Sequence, residues 1–317
     1  MALLNGGALV QEVNRAVTRR GWSLFLALSV IWGIPYLLIR VAVGELTPAS
    51  LVFLRTAIGT LLLLPATLRS GRLRTLLPRW RSILLFTFVE VALPWWLLAD
   101  AERRITSSLS GLLVASVPLV GALLSRFSGA HQPLGARRLA GLALGFAGVV
   151  ALVGLDLSGD AAAILEMTLV VLGYALGPLI VSRRLADLPS LDVVAVSLGA
   201  SALLYAPVGI VQLPATMPSS AVLAAVAVLG VVCTAVAFLL FFRLIAEVGP
   251  VRATVITYVN PAIAVLAGVV LLGEPFTVGT ALAFVLILAG SWLATGPSGS
   301  STAVPAADPA AASGRAS

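Results

Sequence analysis

From Val193 to Phe242 the chain runs fifty residues without a single charged side chain. One membrane crossing takes about 20 mostly apolar residues, so this stretch must cross twice. "QLPATMPSS", residues 212–220, supplies the polar, proline-marked turn that divides it. The rest of the chain has the same character. Sixty per cent of residues are hydrophobic and 10% charged, against about 25% charged in an average soluble domain. A soluble globule keeps a large solvated exterior and could not hide that much apolar surface. Lipid is the solvent this chain is written for.

Ten segments are long and apolar enough to cross: 22–43, 48–68, 82–101, 106–125, 137–155, 163–182, 191–211, 220–242, 251–272 and 277–296. All 20 basic residues are arginine, against 13 acids. They punctuate the apolar runs and do not gather on one face with aromatics, which argues against nucleic acid as a partner. With a cytoplasmic N-terminus, fifteen arginines fall on the inner side, and only Arg103 and Arg104 fall outside. That positive-inside bias predicts an even number of crossings with both termini cytoplasmic.

The first 21 residues read as a cytoplasmic arm. No small-residue cleavage site follows the basic stretch, so the first apolar run is read as an uncleaved helix and not a signal peptide. Residues 297–317, "PSGSSTAVPAADPAAASGRAS", read as a disordered cytoplasmic tail. The single cysteine, Cys233, lies inside an apolar run and reads as a small core residue.

The ten segments fall into two halves, 22–156 and 163–296. "WGIPYLLIRVAVGELTPASLVFLRTAIGTLLLLPA", starting at Trp32, can be laid over "LGYALGPLIVSRRLADLPSLDVVAVSLGASALLYAP", starting at Leu172. Gly33 meets Gly173, Pro48 meets Pro189 and Pro65 meets Pro207; further on Pro118 meets Pro261 and Gly148 meets Gly290. The offsets are 140, 141, 142, 143 and 142 residues. Each half has five crossings, an odd number, so the second half must enter the membrane inverted. Inverted repeats are a hallmark of secondary transporters, with the site at the repeat interface.

Three motifs carry a family resemblance: "VIWGIPYLLIR", "LVFLRTAIG" and "NPAIAVLAGVVLLGEPFTVGTALAFVLILAG". Together with ten segments and the duplication, they resemble the drug/metabolite transporter superfamily, EamA type, over residues 22–296. The resemblance implies an all-α carrier of ten transmembrane helices, built as two inverted five-helix repeats in a bacterial inner membrane. Such carriers are often exporters of amino acids or other metabolites, and a homodimer is allowed. One departure stands out. Where the first half should carry its own Gly-Glu, "LLSRFSGAHQPLGARR" places His131 near the position of Glu274.

Ionisable groups inside a span cost several kcal/mol or more, so each is a candidate for function. Arg40 sits near the outer end of its segment and can snorkel to the interface. Arg55 lies about two turns into the second segment. Glu90 lies close to mid-membrane, where it is read either as the ion-pair partner of Arg55 or as a protonatable solute or proton site. Pro94 lacks an N–H and its ring clashes with the carbonyl of Glu90. Pro178 and Pro261 act likewise on Tyr174 and Thr257, and with Pro118 these four are expected helix breaks. Trp32, Tyr36, Trp95, Tyr174, Tyr258 and Asn260 complete the candidate pathway, though each aromatic is also an ordinary packing residue. A pathway of aromatics, freed carbonyls and one acid suits an amphipathic or aminated solute. Glu166 and Glu247 are expected at solvated ends. Glu274, in "GEP", is expected in an outer turn, favoured by the dipole of the helix that follows and able to latch the outer gate.

No metal or cofactor is expected: one histidine and one cysteine cannot build a site. The sequence has no paired intramembrane aspartates, no Ser/His arrangement, no zinc motif and no phosphate-binding loop, so an enzyme or a directly ATP-driven pump is disfavoured. The expectation is a carrier moving a small organic solute by alternating access, outward and coupled to protons. A scaffold or sensor without flux is the alternative, and a membrane-embedded enzyme stands further off.

Overall fold

A computed structural model describes residues 18–69, 71–127, 135–155, 160–249, 253 and 255–295. The N-terminal arm to residue 17, His131, Arg252 and the tail lie outside these residues. Ten helical segments follow in order: α1 Arg19–Ala42, α2 Pro48–Arg69, α3 Leu73–Ala101, α4 Ser107–Phe127, α5 Ala136–Leu155, α6 Ala161–Leu185, α7 Ser190–Val211, α8 Ser220–Val248, α9 Ile256–Leu272 and α10 Val278–Thr295. Among the described residues, nine are long and apolar enough to cross a membrane by themselves, and α9 is a shorter apolar helix of 17 residues. The protein is all-α, in two repeated halves of five helices.

Local sequence sets several ends. Thr106 caps α4 by accepting from Leu109 N at 3.2 Å, and Asp160 caps α6 by accepting from Ala162 N at 2.8 Å. Gly273 ends α9 in the left-handed conformation, φ 66°, and the N–H of Glu274 returns to the carbonyl of Gly268 at 3.1 Å. That turn explains the Gly of "GEP": only glycine takes this φ without strain.

The expected breaks divide. α4 is interrupted at Ala115–Ser116, two residues before Pro118. α3 widens into a π segment at Thr87–Ala92, which ends two residues before Pro94. By contrast, α9 passes through Pro261 without a break, and α6 passes through Pro178 before a π segment at Val181–Leu185. An unexpected interruption lies in α1 at Ile34, because Pro35 starts a new helical stretch. A third π segment, Val231–Val236, sits in α8. It follows the one in α3 by 144 residues at both ends, close to the offsets of the proline and glycine anchors. The duplication therefore reaches down to an irregular turn.

Each helix of the first half packs chiefly on helices of the second: α5 on α10, α2 on α7, α3 on α6, α4 on α9, and α1 on α8 and α9. Lipid gives helices no hydrophobic reason to associate, so close backbone approach through small residues must hold them. α5 and α10 supply it. A Cβ at Gly290 would collide with the backbone of Gly145, and one at Gly148 would lie 2.9 Å from Ala283 O and Ile287 N.

A Cβ there cannot be relieved by a side-chain rotation, because backbone is what it meets. We expect Gly290→Val to lower stability by about 1–3 kcal/mol, the cost of overpacking. Gly121→Val, where a Cβ would meet nothing within 4 Å, should be neutral. Thermal unfolding of the two variants in detergent micelles makes the comparison, and equal midpoints would refute close packing at α5–α10.

Candidate functional site at the interface of the halves

Arg55 of α2 sits in the middle of the inter-half contact and is 7% exposed. Its guanidinium lies 3.7 Å from the ring centroid of Trp95 on α3. Its Nε donates to Thr234 Oγ1 on α8 at 3.1 Å. Thr234 in turn donates to the carbonyl of Leu229, five residues back, at 2.8 Å, so the widened turn of α8 shapes the support for Arg55. The phenols of Tyr36 on α1 and Tyr174 on α6, the Cys233 thiol and the Glu102 carboxyl lie within electrostatic reach of the guanidinium. Five helices from both halves thus converge on one cation.

Glu90 does not pair with Arg55. Its side chain lies against Gly177 of α6, where a Cβ would collide with the carboxyl, and its buried Oε2 has no hydrogen-bond partner. No cation lies within ion-pair distance of it among the described residues. The carbonyl of Val89, one residue back, approaches Gly173 of α6, and the carbonyl of Ala92 accepts from Tyr205 on α7 at 3.0 Å. The carbonyl of Ala92, beside Pro94, is thus met by a neighbouring helix, as lipid requires.

The other candidates spread outward. Trp32 packs on Phe238 and Phe241 of α8, at 5.9 and 4.8 Å between ring centroids. Tyr258 turns to α10, where its hydroxyl lies 2.6 Å from Thr295 Oγ1. Asn260 faces α1: with its amide turned to donate, it reaches Ser29 O at 3.3 Å and Ile256 O at 2.9 Å. Trp32, Tyr258 and Asn260 hold helices together, whereas Tyr36, Arg55, Trp95 and Tyr174 share one centre.

The two ends of the bundle are tied by polar bonds between halves. On the face away from residue 18, here the distal face, Glu274 accepts four hydrogen bonds from α4: Ser107 N and Oγ at 2.8 and 2.9 Å, and Ser108 N and Oγ at 2.8 and 2.5 Å. The expected turn carboxylate is there, but it serves the N-terminus of α4, not that of α10. Burial pushes its carboxyl up, and the four bonds outweigh that, holding it below the usual carboxylate range. Glu45 accepts from Ser219 N at 2.7 Å, and Arg104 pairs with Asp100, Asp160 and Glu166 at 2.7, 2.9 and 2.5 Å. Glu166 is thus an ion-pair partner and not simply a solvated end. On the opposite face Asp192, 1% exposed, receives Thr67 at 2.8 Å and Arg72 at 2.9 Å, Arg79 pairs with Asp187 at 3.1 Å, and Thr18 donates to Glu247 at 2.6 Å.

Glu102 is the acid that reading the sequence missed. It follows the last residue of α3 and is fully buried, with neither carboxyl oxygen hydrogen-bonded. Arg40 does not simply snorkel: its guanidinium donates to the main-chain carbonyl of Glu102. Burial, reinforced by Glu274, pushes the Glu102 carboxyl well above its ordinary range, against the pull of Arg40. Its place at the end of an apolar run disguised it as a loop residue. Thr234 left no signal beyond a hydroxyl in an uncharged stretch.

A bundle of two repeated halves meeting around a buried polar centre, tied at both ends by bonds between the halves, defines a membrane transporter and not an enzyme. The chain belongs to the EamA-like transporter family, which matches it twice, at residues 19–154 and 161–296. It is 30% identical over 266 residues to "Uncharacterized inner membrane transporter YedA" of Escherichia coli strain K12, covering 80% of this chain and 83% of YedA. YedA of Escherichia coli O157:H7 gives the same figures. A protein of known crystal structure aligns with a TM-score of 0.62 at 25% identity, over 87% of this chain and 96% of that one.

The low-lying Glu274 carboxyl makes a prediction with a definite sign. A depressed acid contributes stability above its unfolded value, near 4.3, and loses it as pH falls through the folded value. At neutral pH Glu274→Gln should cost about 1–3 kcal/mol, toward the low end because the group is partly exposed. The gap from wild type should close below about pH 4. Thermal unfolding in micelles from pH 3 to 7 reads this, and a gap independent of pH would contradict it.

Proposed function

We propose that the protein is a secondary carrier that moves a small organic solute by alternating access, outward and coupled to protons. The observation that carries the reading is the meeting of two oppositely oriented repeats at Arg55, Trp95, Tyr36 and Tyr174. Rocking one half against the other opens such a centre to one side at a time. The polar ties on each face are the natural gates: Glu274 with Ser107 and Ser108 distally, and Asp192 with Arg72 on the opposite side. The likeness to YedA, an inner membrane transporter, supports a bacterial inner membrane as the location. The excess of arginine on one side supports cytoplasmic termini, with the distal face outside.

Glu90 is the proposed proton-coupling group. It lies in the widened turn of α3, its buried oxygen lacks a partner, and no cation pairs with it among the described residues. A carboxyl so placed can exchange its proton as the halves move. The solute is to be sought by profiling metabolites in the medium with and without overexpression, followed by flux of the hits in proteoliposomes of purified protein. A carrier gives saturable flux with counterflow, whereas a scaffold or sensor gives none. We expect Glu90→Gln to keep counterflow and to lose solute-driven proton movement. Undiminished proton movement in that variant would sink the role of Glu90.

A further inference from the structure

Arg55 is an unusual charge for a membrane interior. It is more than nine-tenths buried, and no carboxylate pairs with it among the described residues. A carboxyl in that position could neutralise itself by taking a proton. A guanidinium cannot, because it stays protonated at any pH a protein meets. Its charge must therefore be met by something present.

The protein meets it only in part. One face of the guanidinium is over Trp95 and one edge, Nε, is bonded to Thr234. Nη1 and Nη2 have no hydrogen-bond partner among the described residues. Those two nitrogens form one of the donor edges that match the two oxygens of a carboxylate. The buried acids nearby are not placed to fill it. Glu102 lies within electrostatic reach but beyond pairing distance, and Glu90 faces Gly177 of α6. Tyr36 and Tyr174, one from each half, bring two hydroxyl groups to the same neighbourhood. The Tyr36 hydroxyl makes no bond within the protein among the described residues, and the Tyr174 oxygen accepts from the Trp95 indole, which leaves its O–H free to donate. Arg55 is seven residues into α2 from Pro48, about 10 Å along the helix from its distal end. The donor edge is thus set below the distal ties, between the halves.

We propose that Arg55 is the solute-binding cation, and that the solute is an organic carboxylate held by Nη1 and Nη2 with Tyr36 and Tyr174 as further donors. This deepens the carrier reading and rests on it for the word solute. It also narrows the class suggested by the sequence, an amphipathic or aminated solute, by making a carboxylate the group that is recognised. Trp95 and Thr234 fix the orientation of the guanidinium before the ligand arrives, so little is lost in ordering it. Both halves contribute, through Arg55 and Tyr36 on one side and Tyr174 on the other. Binding thereby depends on how the halves are set against each other.

Three probes of similar size separate head-group chemistry from hydrophobic bulk: benzoate, benzylamine and benzyl alcohol, added to the full-length protein in lipid nanodiscs. Thermal midpoint and tryptophan fluorescence, to which Trp95 contributes, are the readouts. Benzoate is expected to raise the midpoint and change the fluorescence, and the other two to do neither. Arg55→Gln should abolish the benzoate response, and Arg55→Lys, which cannot offer a two-pronged edge, should weaken it about tenfold or more. Should Arg55→Gln not fold, Tyr36→Phe and Tyr174→Phe decide, each expected to weaken benzoate about tenfold or more by loss of one hydrogen bond to a charge. A response to benzylamine alone, a benzoate response undiminished in the variants, or no response to benzoate would each overturn the assignment. Counterflow in proteoliposomes separates this failure from that of the carrier reading. Saturable flux confined to amines would leave the carrier intact and remove the carboxylate site. Benzoate binding at Arg55 with no flux of any solute would do the reverse.

Discussion

The contact between α5 and α10 is the constraint on which the two halves rely. In lipid the tails outside a bundle are as apolar as the side chains inside it, so burial alone drives nothing together. Association must come from close packing and polar bonds. At Gly145, Gly148 and Gly290 backbone meets backbone, which brings the last helix of each half against the other with no side chain between them. α2 and α7 cross at the same kind of boundary, where Ser50 Oγ donates to Gly209 O at 2.8 Å. These pairs are each formed by one helix and its own repeat equivalent. An inverted duplication makes this economical, since one surface serves both sides of the pseudo-two-fold axis.

The irregular turns lie elsewhere, around Arg55. The π segments of α3 and α8 are repeat equivalents, and each contributes to that centre: the first precedes Trp95 and contains Glu90, the second holds Cys233 and Thr234. Widened turns of this kind frequently mark functional positions, because they rotate side chains off the regular helical face and free a carbonyl. Here Thr234 takes up the carbonyl of Leu229, and Tyr205 takes up that of Ala92. The bundle is thus regular where it holds itself together and irregular where the halves enclose a polar centre.

Much of this was legible in the sequence. Apolar run lengths gave ten crossings, and prolines and glycines in register gave the duplication, because both are local or strictly periodic signals. Arg55, Trp95, Tyr36 and Tyr174 were marked by residue type and depth, and they do share one centre. What was not legible was partnership. Arg55 and Glu90 are the obvious opposite charges at similar depth, yet Glu90, inside the π segment of α3, lies against Gly177. Glu274 sits in the predicted turn but bonds a helix start 167 residues away in the chain, a distance at which no periodicity speaks. Pro261 lies inside an unbroken helix, while Pro35, outside the expected set, starts a new stretch in α1.

Charge compensation then separates the parts that lock from the part that binds. Asp192 and Glu274 are each met by hydroxyl, amide or arginine donors, so they contribute wherever their bonds are made and lose it when the faces part. Groups in that condition suit gates. Glu102 and Glu90 have buried oxygens with no donor, a state that a proton resolves. Arg55 alone among these has no such remedy. A fixed positive charge, braced on two sides and open on the edge that fits two oxygens, is a cost the resting bundle carries and a ligand removes. Removing it would strengthen the contact between halves in whichever arrangement closes around the ligand, and on the proposed carrier reading that differential would let a solute drive the bundle from one state to the other.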